Sequence, residues 1–215
     1  MVRDGIYYAV ALIAVAVLLG LWASLWLALI PLLAAAFFLW FFRDPERQIP
    51  ATPGAVVSPA DGKVTSISPT QWKGEPRTSI SIFLSVFNVH VNRAPVGGRV
   101  IGLDYRRGKY VNALNPACAE HNEQSVCTLQ TELGERIVFK QIAGLLARRI
   151  VFTRRIGDRV ARGERIGMIK FGSRCDVILP ASAAVQVKVG DSVKGGSSTL
   201  AILPSGSGPQ RQGER

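Results

Sequence analysis

The chain has 215 residues, with 26 Lys+Arg against 15 Asp+Glu and a formal charge of +11. Hydrophobic residues make up 48% of it, yet residues 5 to 42 form a run of 38 without one charged side chain. These figures exclude a disordered chain, a collagen, a coiled coil, a disulfide-stapled miniprotein and an ordinary soluble protein.

The apolar run comes first in chain order. As one helix it would extend about 57 Å, against a hydrocarbon core of about 30 Å. Gly20 and Pro31 interrupt it, and Trp22-Ala-Ser-Leu-Trp26 reads as a turn or interfacial segment. The expectation is two short helices, 6–20 and 26–42, in a shallow hairpin, with residues 1–42 as a membrane anchor. Arg3 on one side and Arg43, Arg47 and Arg77 on the other then both face the cytoplasm, as the positive-inside tendency prefers. A single tilted span with an external domain is the rival. A signal peptide cut near Ala34-Ala-Ala36 is another, although the run far exceeds a signal core of about 7–15 residues.

Beyond the polar exit Arg43 to Pro50, the signals over residues 43–204 are strand-like. Ser79-Ile-Ser-Ile82 alternates and Phe83 to Phe87 continues it; Val89-His-Val91, Arg99-Val-Ile101, Arg136 to Phe139 and Val185 to Val189 read as further strands. Turns are expected at Ala60-Asp-Gly62, Gly97-Gly98, Gly157-Asp158, Gly190-Asp191 and Gly195-Gly196. Helix is expected only near 116–124 and 142–150, and residues 205–215 read as a disordered tail. Gly157 to Gly167 and Gly190 to Leu200 share a Gly-Asp-x-Val-x-x-Gly skeleton. Hairpins of this kind build lipoyl-like barrel-sandwich domains, although Lys63 lacks a carrier motif around it. The expected fold class is therefore mainly β (α+β): an antiparallel barrel-sandwich domain with few short helices behind a helical anchor.

Three cysteines, Cys118, Cys127 and Cys175, form no C-x-x-C pair and read as small buried thiols. There are two histidines. Asn88-Val-His-Val-Asn92 supplies one where an H-x-H metal motif needs two, so no metal site is expected. Asp61, His90 and one of many serines could form a Ser-His-Asp set, which is recognised by geometry and not by order. Asp61 also fits a structural role in an Asp-Gly turn, and His90 that of a satisfied core histidine. Gly172-Ser173 lies between two apolar strand-like segments. There a serine hydroxyl can attack the preceding carbonyl, although a plain hairpin turn explains Gly-Ser as well.

Five ordered blocks sharpen this. They are Phe42-Arg-Asp-Pro-Glu-Arg47, Ser58-Pro-Ala-Asp-Gly62, Phe83 to Pro95, Gln141-Ile-Ala-Gly144 to Ile150, and Gly163 to Ser173. Together, over roughly residues 40 to 200, the chain closely resembles the phosphatidylserine decarboxylase family in its short form. The resemblance implies a proenzyme that cuts itself between Gly172 and Ser173, leaving a β chain of residues 1–172 and an α chain of 173–215. It implies a pyruvoyl group made from Ser173, which forms a Schiff base with phosphatidylserine on the way to phosphatidylethanolamine. By the same resemblance, Asp61 and His90 match the residues that activate Ser173. Longer relatives carry a second histidine where this chain has Phe87, so His90 is expected to reprotonate the α-carbon, with His121 a weaker alternative. Arg148 and Arg149 are candidates for the substrate phosphate, since Arg suits bidentate phosphate contact.

No aromatic-interleaved basic stripe suggests nucleic acid. An anionic membrane surface, worth ~1 kcal/mol per basic residue, fits the positive surplus better. The expected partners are thus the lipid substrate, that surface and the chain's own two fragments, open to higher oligomers, at the cytoplasmic side of the cell (inner) membrane. A non-catalytic membrane-tethered adaptor and a decarboxylase of another phosphoserine lipid are the alternatives.

Overall fold

The computed structural model describes residues 3–115, 117–145, 149–170 and 172–204. The tail expected over 205–215 lies outside the described residues. Two helices open the chain, α1 (Arg3–Trp22) and α2 (Leu25–Phe41). The expected hairpin is present, but its break differs. Gly20 lies inside α1 and Pro31 inside α2, while the chain turns at Ala23 and Ser24. Ser24 is extended and its hydroxyl accepts from Trp26 N at 3.3 Å, which starts α2. Small residues let the helices approach: Gly5, Ala9 and Ala16 of α1 and Ala28 and Ala35 of α2 are buried. The outward faces stay uncovered, with Trp22 85%, Leu25 80% and Trp26 82% exposed. With 20 residues and a mean hydropathy of 2.2, α1 is long and apolar enough to cross a membrane.

The remainder is mainly antiparallel β. In order come β1 (Ala55–Val57), β2 (Gly62–Trp72), β3 (Glu75–Leu84), β4 (Val91–Arg93) and β5 (Gly98–Arg106). A short helix α3 (Cys118–His121) precedes β6 (Gln124–Gln130), β7 (Arg136–Ala143) and β8 (Arg149–Phe152). Then follow β9 (Arg159–Val160), β10 (Arg165–Lys170), β11 (Ser173–Pro180), β12 (Ala184–Val185), β13 (Ser192–Val193) and β14 (Thr199–Ile202). Eight strands form one sheet in the order β13-β2-β3-β11-β7-β6-β5-β9. Two three-stranded sheets, β1-β14-β12 and β4-β10-β8, complete the domain. The tight β2–β3 hairpin turns at Lys73 (φ 52°) and Gly74 (φ 81°), both in the left-handed region that two-residue hairpin turns require.

The repeated Gly-Asp skeleton has a structural counterpart. Gly157 and Gly190 have φ of 98° and 100°. Asp158 accepts from Arg155 N and Asp191 from Lys188 N, each three residues back. Gly157 N donates to Val100 O while Val100 N donates to Asp158 O; Gly190, Val64 and Asp191 repeat the same exchange. The two turns thus feed β9 and β13 onto opposite ends of the eight-stranded sheet.

Some expectations are corrected. Residues 142–143 and 149–150 are strand, not helix, because β7 and β8 pair with β11 and β10 there. Strand β3 stops at Leu84, and 85–88 form a turn in which Asn88 Oδ1 accepts from Ser85 N and Oγ. His90 precedes β4 instead of lying within a strand, and only Ala184–Val185 of the segment around Val185 to Val189 is strand. The core gathers Ile80, Ile82, Leu129, Phe139, Ile169 and Val177 between the sheets, with Cys127 and Cys175 among them. All three cysteines are buried and unpaired, as the sequence suggested.

Candidate active site

Strand β11 is the centre of the large sheet, hydrogen-bonded to β3 on one side and β7 on the other. Its first residue, Ser173, pairs with Leu84 and Ala143, each the last residue of its strand. The Gly172–Ser173 bond therefore sits where three strands end together. Gly172 has φ +43°, a backbone state that glycine adopts without penalty. Ser173 is wholly buried, and among the described residues its Oγ has no hydrogen-bond partner. A buried hydroxyl without a partner costs about 1–3 kcal/mol, so the fold holds a reactive oxygen next to its own carbonyl at some expense. A β-carbon at residue 144 would overlap the Gly172 carbonyl oxygen and touch Ala113. Gly144 is what lets β7 run this close to that carbonyl.

His90 is also wholly buried. Its Nδ1 lies 2.9 Å from Asn88 O. A carbonyl only accepts, so Nδ1 carries the proton and Nε2 presents a lone pair. Among the described residues that Nε2 has no partner either. Burial lowers the imidazole to about 4; the bond to Asn88 O opposes the fall and nearby Arg43 adds to it. The ring lies against Phe41 at the end of α2, centroids 4.4 Å apart. The α1–α2 hairpin thus forms one wall of the histidine's surroundings, within a cluster of Phe41, Phe42, Val89, Val91 and Met168.

Two contacts bring the His90 segment to the Ser173 strand. Ile169 N donates to His90 O, and at most about 10 Å of chain separates Ile169 from Gly172. Asn92 Nδ2 contacts Cys175 Sγ at 3.5 Å, while Gln141 Nε2 donates to Asn92 Oδ1 at 2.8 Å and to Val151 O. This buried amide pair joins the small sheet β4-β10-β8 to β7 and β11 of the large one.

Asp61 is held by partners of its own. Its carboxylate accepts from Arg47 Nη2 at 2.8 and 3.0 Å and from Gly195 N at 2.8 Å. Among the described residues no hydrogen bond joins it to His90, whose ring nitrogen has the Asn88 carbonyl instead. The Asp61 turn ties the membrane exit to the domain, as does Asp44, which pairs with Arg93 and Arg165.

Arg148 lies outside the described residues. Arg149 is exposed at the start of β8 and stands opposite Lys170, so their side chains share a face. His121 is exposed at the end of α3, apart from these contacts. Sequence reasoning missed Lys170. It is buried two residues before Gly172, 2.8 Å from Asp4 Oδ2 and over the rings of Tyr8 and Phe42 at 5.9 and 5.7 Å. A lysine inside the apolar strand of residues 166–171 was the available signal. Its partner is 166 residues away and could not be read from the sequence.

Comparisons with known proteins show the family. The family model of phosphatidylserine decarboxylase matches residues 34–201. A phosphatidylserine decarboxylase proenzyme of Solibacter usitatus is 50% identical over 200 residues, 93% of this chain and 95% of the relative. That of Symbiobacterium thermophilum is 44% identical over 205 residues, 94% and 95% of the two chains. That of Desulfotalea psychrophila is 48% identical over 178 residues, 81% and 83%. With a family model matching residues 34–201 and similarity over nearly the whole length, the chain belongs to the phosphatidylserine decarboxylase family.

Proposed function

We propose that this chain is a self-processing precursor that decarboxylates phosphatidylserine to phosphatidylethanolamine. The observation that carries the reading is the Gly172–Ser173 bond at the end of β11, with Ser173 Oγ buried and unpartnered. Ser173 Oγ attacks the Gly172 carbonyl carbon and the C–N bond breaks. The hydroxyl proton passes to the amine released on Ser173, and an ester remains. Loss of the Ser173 α-proton then breaks the Cβ–O bond and frees Gly172 as a carboxylate. Water replaces the nitrogen of the dehydroalanine, ammonia leaves, and a ketone caps residue 173.

His90 Nε2 is the base for the first proton transfer. It holds a lone pair at neutral pH because burial keeps the ring uncharged. A base of so low a pKa is weak, which a step performed once per molecule tolerates. The same geometry supports His90 as the group that returns a proton to the substrate α-carbon. Asp61, through Arg47 and Gly195 N, acts by holding the membrane exit against the domain.

The pyruvoyl group fits the site: its precursor atoms are Ser173's own, in a buried place free of competing bonds. It supplies a conjugated carbonyl that takes up the electron pair left as carbon dioxide departs. Exposed Arg149, paired across β8 and β10 with Lys170, is the candidate for the anionic headgroup. The α1–α2 hairpin returns Asp4 to Lys170, which supports both anchor ends and the catalytic domain lying on one side, the cytoplasmic side of the inner membrane. The mature protein is a pair of chains of 172 and 43 residues.

Intact-protein mass spectrometry tests this. Two chains are expected, the shorter lacking a free amino terminus, with Ser173→Ala leaving one uncut chain. Cleavage that survives Ser173→Ala, or an uncut wild-type chain without carbon dioxide release, would favour the adaptor reading.

A further inference from the structure

Beside Gly172 lies a cavity of about 290 Å³, walled by Phe83, Val86, Ala113, Leu145 and Gly172 itself. Its two polar neighbours are occupied locally: Ser85 bonds Asn88, and Asn112 accepts from Leu114 N. What the cavity offers an incoming molecule is therefore mainly apolar. Its rim carries three large apolar side chains turned to the outside: Phe87 is 69%, Leu114 57% and Leu145 64% exposed. Each either lines the cavity or is next in sequence to a residue that does.

The position of this rim relative to the hairpin indicates what covers it. Phe87 meets Trp40 of α2 edge-on, centroids 6.1 Å apart. Arg43 donates to both Trp40 O (2.9 Å) and Phe87 O (2.8 Å), with its guanidinium 4.1 Å over the Trp40 ring. Trp and Arg at the end of an apolar helix mark the membrane–water interface. The loop bearing Phe87 is bonded at that level, which sets the Val86 side of the cavity beside the end of the hairpin.

We propose that this cavity is a bilayer-facing port for the substrate lipid. It admits the glycerol and first acyl carbons of a diacyl aminophospholipid, while Phe87, Leu114 and Leu145 seat the rim in the interface. The proposal rests on the decarboxylase reading above. The volume suits it: ligand cavities for drug-sized molecules run from about 300 to 1,000 Å³, so a whole phospholipid does not fit and the acyl tails remain in the leaflet. The floor at Gly172 sets the headgroup end of the lipid beside the processed bond. Phe87 acts on the membrane and not on a proton.

The test uses the full chain in phosphatidylserine-containing vesicles. Single cysteines at Leu145→Cys and Leu114→Cys carry a polarity-sensitive dye; the three native thiols are buried. Leu133→Cys is the control. It is 68% exposed but lies beyond the opposite end of β7, about 26 Å of strand away. Dyes at 145 and 114 should shift to the blue and be quenched at least threefold by brominated lipid, with the dye at 133 unaffected. Solvent-like emission at 145 and 114 would overturn the proposal. So would a shift that scales with protein-to-lipid ratio, which would mark a second copy of the chain.

A second arm compares kcat/KM for long-chain phosphatidylserine with that for glycerophosphoserine. Leu145→Glu should lower the ratio at least tenfold, with Leu114→Glu as the second variant and two-chain processing as the folding check. An unchanged ratio would refute the port. Failure of the wild-type chain to act on either substrate would instead refute the decarboxylase reading.

Discussion

The state of His90 can be measured through the stability of the fold. Burial holds its imidazole at about 4, against an ordinary value of 6.5. In the unfolded chain the ring takes a proton as pH falls below 6.5; in the folded chain it does not until about 4. Stability is therefore complete above 6.5 and declines between 6.5 and 4. At about 1.36 kcal/mol per pH unit, the whole loss is of order 3 kcal/mol. The perturbation is an uncut Ser173→Ala chain, with and without His90→Asn. The assay is urea unfolding in micelles, followed by circular dichroism between pH 4 and 7.5. The difference between the two curves isolates one proton. Parallel pH dependence in the two chains, or stability that grows as pH drops, would refute a buried neutral imidazole and with it the assignment of His90 as base.

Three further outcomes follow from the same geometry. Gly144→Ala should slow self-cleavage at least about tenfold, equivalent to ~1.4 kcal/mol in the barrier, because its methyl presses on the Gly172 carbonyl; a time course of intact mass reads this, and unchanged cleavage removes the crowding argument. Phe41→Ala removes a fully buried ring and should cost about 3–5 kcal/mol, while raising the His90 pKa as water enters; an NMR titration of the ring protons checks the second part. Asp61→Asn and Arg47→Met should destabilise by similar amounts, about 3 kcal/mol, and slow cleavage together. A loss of cleavage in Asp61→Asn at full stability, with Arg47→Met normal, would return Asp61 to a direct part in the chemistry.

Local chemistry made much of this protein readable in one dimension. The apolar run declares itself because lipid demands a stretch of uncharged residues. The Gly-Asp turns declare themselves because left-handed backbone selects glycine and a short carboxylate closes the turn on its own amide. Where the sequence misled, a tertiary partner won. Residues 142–143 and 149–150 look helical alone but lie along strands already waiting at β11 and β10. For Asp61, which the resemblance sets with His90 in activating Ser173, the structure adds what no local pattern announces: Arg47 and Gly195 N hold its carboxylate.

What the sequence by itself determined is the division into apolar hairpin and basic β domain; it pointed to the Gly172–Ser173 bond only through the family resemblance. Only the tertiary structure decided the surroundings of that bond. It placed Phe41 on His90, Asp4 on Lys170 and Gly144 under the Gly172 carbonyl. The reason is physical: hydrogen-bond periodicity and turn strain act over a few residues and leave a trace in composition. The electrostatics and exposure of a buried site depend on side chains as far as 166 positions apart, whose meeting no local pattern encodes.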